Sequence, residues 1–427
     1  MTLDLLIVQL EKLAFGGDAL ARLPDGRTLF VPFGLPGEEV SVHLVEEKRQ
    51  HARADLVEVL KPSPQRIQPR CRHFGTCGGC HYQHMPYAAQ LKAKSDILRD
   101  QLGRIGKFSD PPLQPMVPSP QEWNYRNHVQ FHLTRAGQLG FQAPASSQVI
   151  PISECHLPEG PLNAIWPQLD FSPGLGLERI GLRLGVEGQS LLVLESAQPE
   201  TPEVEIESDL SVVHLFGEET VVLAGEDAIE ISVEVPRDPP LRRTFRVSAA
   251  SFFQVNTAMA GKMVEHLLTH LALGPTATLL DVYCGVGLFS AFLAPHLKRL
   301  IAIEASPAAC ADFTVNLKEF ENVELYEASA EEVLPSLGVK PDLVIVDPPR
   351  AGLNRQAVQA LLALAPMRLA YVSCDPSTLA RDAARLVEGG YLLTQVTPFD
   401  LFPQTASIES ISFFDRSATG ASLQAEG

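Results

Sequence analysis

The sequence predicts a multidomain chain: a small N-terminal β-barrel over residues 1–60, a β-rich central domain over 61–245, and a C-terminal doubly wound α/β domain over 246–427. Three observations predict it. At 427 residues the chain is long for a single core. Its first stretch alternates apolar and polar residues with the period of half-buried strands. Its last stretch alternates apolar strand-like runs with helical segments, the pattern of a mostly parallel sheet.

In the N-terminal part, Val40-Ser41-Val42-His43-Leu44-Val45 and Ala54-Asp55-Leu56-Val57-Glu58-Val59 alternate in strand fashion. Gly16-Gly17-Asp18, Pro24-Asp25-Gly26 and Pro36-Gly37 are turn signals between such runs. About five short strands point to a barrel of the oligonucleotide-binding kind, and Lys61-Pro62-Ser63-Pro64 reads as the linker that ends it. The first five residues lack a basic targeting region, and no stretch reaches the length of a membrane span. A cytoplasmic protein with no membrane partner is expected.

The net charge of −17 argues at first against nucleic acid, whose phosphates need a basic surface. The distribution reverses that inference. Residues 48–107 hold twelve Lys/Arg against four Asp/Glu, whereas residues 151–240 hold three against eighteen. A basic N-terminal block on an acidic chain is consistent with RNA held on one face.

Cys71-x5-Cys77-Gly78-Gly79-Cys80 opens the central part, and Cys155 stands alone further on. Clustered cysteines in a reducing compartment bind metal or do chemistry more often than they form disulfides. Structural zinc sites favour two Cys-x2-Cys pairs, so three close cysteines and one distant one favour an iron-sulfur cluster. Gly75, Gly78 and Gly79 would let backbone N–H groups approach the sulfurs. A helix is expected from about Pro86 to Leu102, carrying Lys92, Lys94 and Arg99, and residues 108–245 read as β-rich.

The C-terminal strands are expected at Thr278–Tyr283, Leu300–Glu304, Val323–Tyr326, Leu343–Val346, Leu369–Val372, Leu392–Val396 and Ile408–Phe414. Ligands of such a sheet bind beyond the carboxyl ends of its strands. The first strand runs into Tyr283-Cys284-Gly285-Val286-Gly287, where two glycines would admit a ligand to the backbone; the second ends at Glu304, which could accept both hydroxyls of a ribose. Ser290 replaces the third glycine of the dinucleotide fingerprint, so S-adenosylmethionine, which has no pyrophosphate, fits better than NAD. Cys284 and Cys310 read as packing residues.

Asp347-Pro348-Pro349-Arg350 ends an apolar strand, the place where one class of S-adenosylmethionine enzymes holds a planar base. Those that methylate exocyclic amines need no cysteine, yet Ser373-Cys374-Asp375-Pro376 follows. A cysteine there points to methylation of carbon. Uracil C5 is a poor nucleophile until a thiolate adds to C6 and makes the ring electron-rich. A base must then remove the C5 proton. Cys374 is the nucleophile expected, and Glu409, in Ile408-Glu409-Ser410-Ile411, is the base. The ordinary fates of such residues are a small buried thiol and a solvated charge.

Five ordered motifs resemble the RNA uracil-C5 methyltransferases of ribosomal and transfer RNA: Ser251-Phe252-Phe253-Gln254-Val255-Asn256, Asp281–Gly287, Asp347-Pro348-Pro349-Arg350-Ala351-Gly352, Ser373–Pro376, and Phe402-Pro403-x5-Glu409. The resemblance covers nearly the whole chain. It implies that Gln254, Tyr283, Glu304 and Asp347 line the S-adenosylmethionine and uracil pocket, that Cys374 is the nucleophile and that Glu409 is the base. It also implies that residues 1–60 are an RNA-binding TRAM barrel and that Cys71, Cys77, Cys80 and Cys155 ligate a [4Fe-4S] cluster. The target base would be flipped out, with Phe252 or Phe253 stacking on bases or packing the core. Cluster-bearing members point to 23S rRNA first and the tRNA T-loop second, and a monomer is expected. Departures from the family pattern stand at Leu288, Ser329, Gln404, Ala406 and Ser407. Two rival classes would share parts of the sequence: an amine methyltransferase, indifferent to Cys374→Ser, and a non-catalytic RNA-binding iron-sulfur protein, which would not bind S-adenosylmethionine.

Overall fold

The computed structural model describes residues 5–202 and 210–417. Residues 1–4, read above for a targeting region, part of the acidic run, and the C-terminal end of the last expected domain lie outside them.

The N-terminal sheet has six strands rather than five: β1 (Leu5–Gln9), β2 (Lys12–Leu13), β3 (Ala19–Arg22), β4 (Thr28–Val31), β5 (Glu39–Glu47) and β6 (His51–Lys61). Their order is β1-β5-β6-β4-β3-β2. Val40, Val42, Ala52, Ala54, Leu29 and Val31 fill the interior. Glu38, fully buried, ties the linker to this sheet by accepting from Leu35 N (2.8 Å), Ser63 N (3.1 Å) and Arg66 Nη2 (2.7 Å).

The helix α1 (Tyr87–Arg104) follows. A seven-stranded sheet comes next, built from β7 (His128–Leu133), β8 (Leu139–Gln142), β9 (Val149–Pro151), β10 (Leu177–Leu184), β11 (Ser190–Ser196), β12 (Ser211–Phe216) and β13 (Glu219–Ala224) in the order β13-β12-β11-β10-β7-β8-β9. The short helix α2 (Gly160–Ile165) and Trp166 close its core against Phe131. The hairpin of β14 (Ala228–Val235) and β15 (Leu241–Ser248) then packs Ile231, Val233 and Phe245 into the core of the last domain.

That domain contains α3 (Thr257–His270), β16 (Thr278–Val282), α4 (Leu288–Leu293), β17 (Arg299–Glu304), α5 (Pro307–Asn316), β18 (Val323–Glu327), α6 (Ala330–Val333), β19 (Leu343–Val346), α7 (Arg355–Leu364), β20 (Arg368–Ser373), α8 (Pro376–Glu388), β21 (Tyr391–Phe399) and β22 (Glu409–Arg416). The sheet order is β18-β17-β16-β19-β20-β22-β21, parallel except where β22 pairs with β20 and β21. β19 is buried throughout, as expected for a strand covered on both faces. Helices α3–α5 cover one face. Helices α6–α8 cover the other, where Leu98 and Leu102 of α1 join them. The free edge of β21 is capped by the chain at 112–117, through Gln114 N to Val396 O and Val117 N to Pro398 O, both 2.8 Å. Among the described residues no helix is long and apolar enough to cross a membrane.

Candidate active site

The sheet order gathers side chains that are far apart in sequence. Tyr283 follows β16, Glu304 ends β17, Asp347 follows β19 and Cys374 follows β20, so all four stand at the carboxyl edge of the parallel strands. Glu409 reaches that edge from the other direction, because β22 is antiparallel and begins with it. Ser373 pairs with Ser410. Cys374 and Glu409 are the next residues outward from that pair, near enough that the Glu409 charge acts on the Cys374 thiol.

These groups share charge. Burial, then Glu409 and Asp347, push the Cys374 thiol up to about 12, with Arg350 opposing. Glu409 is buried and held well above the usual carboxylate range by desolvation and by Asp347, while Arg350 and Lys94 pull it down. Asp347 is pushed to about 7, by burial first and Asp281 second. The thiol therefore keeps its proton in the free protein, beside a carboxyl that exchanges protons near neutrality. A cleft of this kind is a site for acid–base work.

Arg350 is held by its turn. A Cβ on Gly352 (φ +70°) would meet Asp382 Oδ2 at 2.5 Å, so the turn requires glycine. Asp382 in turn accepts from Leu353 N (2.8 Å) and the Tyr371 hydroxyl (3.0 Å), and Thr378 Oγ1 donates to Arg350 O (3.2 Å).

The cofactor side fits S-adenosylmethionine. Glu304 is oriented by N–H groups of Gly285 (2.9 Å, to Oε2), Ala305 and Ser306 (2.8 Å each, to Oε1), leaving one acceptor site on Oε2 for a hydroxyl. Asp281 accepts from Ser290 Oγ at 2.6 Å, but its buried Oδ1 has no donor among the described residues, which suits a ligand that brings one. A Cβ on Gly285 would enter open space, whereas one on Gly287 would meet Leu317 Cδ1 at 2.4 Å. Gly285 thus admits a ligand, and Gly287, contrary to expectation, serves packing against α5. Leu288 is buried in the core, and Ser329 is engaged with Glu332 at the start of α6 (Oγ to Oε2, 2.9 Å). Gln254 lies on the loop before α3, whose backbone is held by Asn127 of the central sheet through Val255 O (2.9 Å) and Gln254 O (3.3 Å). The neighbouring aromatics divide: Phe253 packs on Phe245 in the core, and Phe252 is 71% exposed.

Three contributors went unassigned in the sequence. Asp281 is the lone charge on β16, and Arg350 directly follows Asp-Pro-Pro. Lys94, grouped with the basic helix surface, is fully buried and donates to Asp400 Oδ1 (2.6 Å) and Phe402 O (3.0 Å). Its signal was spacing: it lies on the buried stripe of Gln90, Ile97, Leu98, Gln101 and Leu102. Much of the basic block is also neutralised internally, Arg66 by Glu38, Arg53 by Asp18, Lys61 by Glu39 and Lys92 by Asp96. Arg49 and Arg99 stay exposed.

Cys71, Cys77, Cys80 and Cys155 line one cavity of about 280 Å³, with His73, Phe74, Gln83 and Arg126 in its wall. Burial pushes Cys80 to about 12 and Cys155 to about 11. His73 N–H and Gly79 N–H donate to the sulfurs of Cys71 and Cys77, both at 3.4 Å. Of the other two glycines, Gly78 instead donates to Gln142 O at 2.9 Å, and Gly75 makes a left-handed turn at φ +90°. The buried Nε of Arg126 has no acceptor among the described residues. Among the described residues no three His, Cys, Asp or Glu converge as ligands of a metal ion, so the [4Fe-4S] ligand set expected from the sequence is not shown; a shared four-thiol cavity is.

Comparison with known proteins agrees with the geometry. A family model described as tRNA (Uracil-5-)-methyltransferase matches residues 219–417, and the TRAM domain matches 5–57. An uncharacterized RNA methyltransferase of Gloeobacter violaceus is 34% identical over 96% of both chains. One of Thermotoga maritima is 31% identical over 94% of this chain and 97% of its own. The crystal structure of Pyrococcus abyssi tRNA (uracil-54, C5)-methyltransferase with S-adenosyl-L-homocysteine shares the fold, with a TM-score of 0.71 over 96% of this chain and 100% of that one at 24% identity. With an edge that fits S-adenosylmethionine, a TRAM barrel and relatives matched end to end, the chain belongs to the family of S-adenosylmethionine-dependent RNA uracil-C5 methyltransferases.

Proposed function

We propose that this protein methylates C5 of a uridine in 23S rRNA, with Cys374 as nucleophile and Glu409 as base. The observation that carries the reading is the antiparallel entry of β22, which brings Glu409 to the ligand edge within electrostatic reach of Cys374. Cys374 Sγ bonds to uracil C6 as the C5=C6 π pair moves into the enolate. The thiol proton passes to Asp347, whose value of about 7 suits transfer near neutrality. Gln254, Tyr283, Glu304, Asp281 and Asp347 would hold S-adenosylmethionine, which would supply the methyl group to C5 and leave as the neutral thioether S-adenosylhomocysteine. Glu409 then takes the C5 proton, the pair returns to C5=C6, and the S–C6 bond breaks to release Cys374.

The four-thiol cavity supports a [4Fe-4S] cluster on Cys71, Cys77, Cys80 and Cys155. It is larger than one ion requires, and the Arg126 guanidinium in its wall, whose Nε has no acceptor among the described residues, suits an occupant of net negative charge, as four thiolates around a cluster provide. That reading favours ribosomal RNA, through the resemblance to cluster-bearing members. The tRNA T-loop is the second reading, favoured by the description of the matching family model.

The test is intact mass after incubation with S-adenosylmethionine and 5-fluorouridine RNA, using 23S and tRNA fragments. Fluorine at C5 cannot leave as a proton, so a covalent adduct is expected with the 23S fragment and none with Cys374→Ala. Methylation of ordinary RNA without any adduct would remove Cys374 from the chemistry, and adduct on the tRNA fragment alone would reassign the substrate.

A further inference from the structure

The loop that delivers Glu409 is held almost entirely from outside the catalytic sheet. Four consecutive carbonyls on it accept hydrogen bonds from four places: Leu401 O from Asn256 Nδ2 (3.1 Å), Phe402 O from Lys94 Nζ (3.0 Å), Pro403 O from the Tyr125 hydroxyl (3.0 Å), and Gln404 O from His81 N (2.9 Å) and Tyr82 N (3.0 Å). Gln404, in the left-handed region at φ +69°, exchanges a reciprocal pair with Gln90 of α1: Gln90 Nε2 donates to Gln404 Oε1 and Gln404 N donates to Gln90 Oε1, both at 2.9 Å. One turn along the same helix face, Lys94 forms its fully buried ion pair with Asp400.

We propose that α1 is the positioning element of the base, with Lys94 and Gln90 holding residues 400–407 so that the Glu409 carboxylate meets C5 of the bound uridine. The inference rests on the reading of Glu409 as base. A buried ion pair adds little stability over apolar side chains of the same volume, so stability alone does not account for this one beside a catalytic carboxylate. Charge supports the same role. The groups facing Glu409 are Asp347 after β19, Arg350 on the following turn, Cys374 after β20 and Lys94 on α1; Asp400, at the end of β21, is neutralised by Lys94. Lys94 is the cation that the helix contributes, and it favours the ionised carboxylate that proton removal needs. Gln404 also binds the two residues after Cys80, so the four-thiol cavity and the base share one scaffold.

The test separates the steps in single-turnover reactions with ordinary uridine RNA, following methyl transfer and free product, with the covalent protein–RNA adduct read by mass. Lys94→Met with Asp400→Asn removes both buried charges together. It is expected to leave methyl transfer within a few-fold, to slow release of product by about 10- to 100-fold with methylated adduct accumulating, and to move the acid limb of the release step to higher pH. Lys92→Met, on the exposed face of α1, is expected to behave as the parent. Should the double variant fail to fold, Gln90→Leu carries the test, with slowed release and an unmoved acid limb. Equal slowing of both steps, or no accumulation, would overturn the proposal. Glu409→Gln run alongside distinguishes the failures: free product at the normal rate would remove the base itself, whereas a stall there without one in the α1 variants would remove only the helix's role.

Discussion

Glu409, buried, and Asp347 and Cys374, half-buried beside it, hold their protons tightly because they are desolvated near one another, and this costs stability when pH rises. Asp347 sits at about 7 in the fold against 3.8 ordinarily. Its contribution is full below the lower value and is lost as pH rises through the upper one. Asp347→Asn should therefore stabilise the fold at pH 8 by on the order of 1–3 kcal/mol, discounted because the carboxyl is partly exposed, and do nothing at pH 3. Denaturant melts at the two pH values check this, and turnover should fall in the same variant. The paired phenylalanines give an opposite contrast. Phe253→Ala should cost about 3–5 kcal/mol of stability. Phe252→Ala should leave the melt unchanged and weaken RNA binding by about 5- to 100-fold, if its ring stacks on a base; fluorescence titration with the substrate fragment measures it.

Among elements, the segment at 400–408 accounts for the departures from the family pattern at Gln404 and Ala406. Ala406 is buried against the first barrel turn, where a Cβ on Gly17 (φ +102°) would lie 3.1 Å from both Ala406 Cβ and His81 Cβ. A larger side chain at 406 would have to displace that turn. Gln404 is occupied by Gln90, and Ser407 N donates to Thr405 Oγ1 at 3.3 Å. Gly17→Ala should accordingly lower stability by about 1–3 kcal/mol, since it combines a strained φ with a tight contact, and a thermal melt reads the loss.

Across the whole molecule, three layers meet at the base loop: the barrel turn, the cysteine-bearing segment with α1, and the catalytic sheet. The four-thiol cavity links residues 71–80 to Cys155 on the central domain, so an occupant would staple the linker to that domain. Anaerobically purified protein should carry about four iron atoms per chain, and Cys155→Ser should lose iron and melt at lower temperature together. Unchanged iron and melting would remove the cluster from this cavity.

The sequence by itself determined the classes of element and the strand ends at which the candidate residues stand. Strand β19 is found at Leu343–Val346 as read, and the remaining strands of the last domain differ only at their ends, because apolar periodicity is local and survives in any context. Asp347, Cys374 and Glu409 were legible as candidates because strand ends are where a doubly wound sheet binds ligands. Tertiary structure alone decided which neighbours those residues have. Lys94 is buried only because Asp400, 306 positions away, comes to meet it. Phe252 and Phe253 are told apart only by where Phe245 packs, and Gly287 is told from Gly285 only by α5. Such pairings depend on how distant segments close on one another, and no local period encodes that.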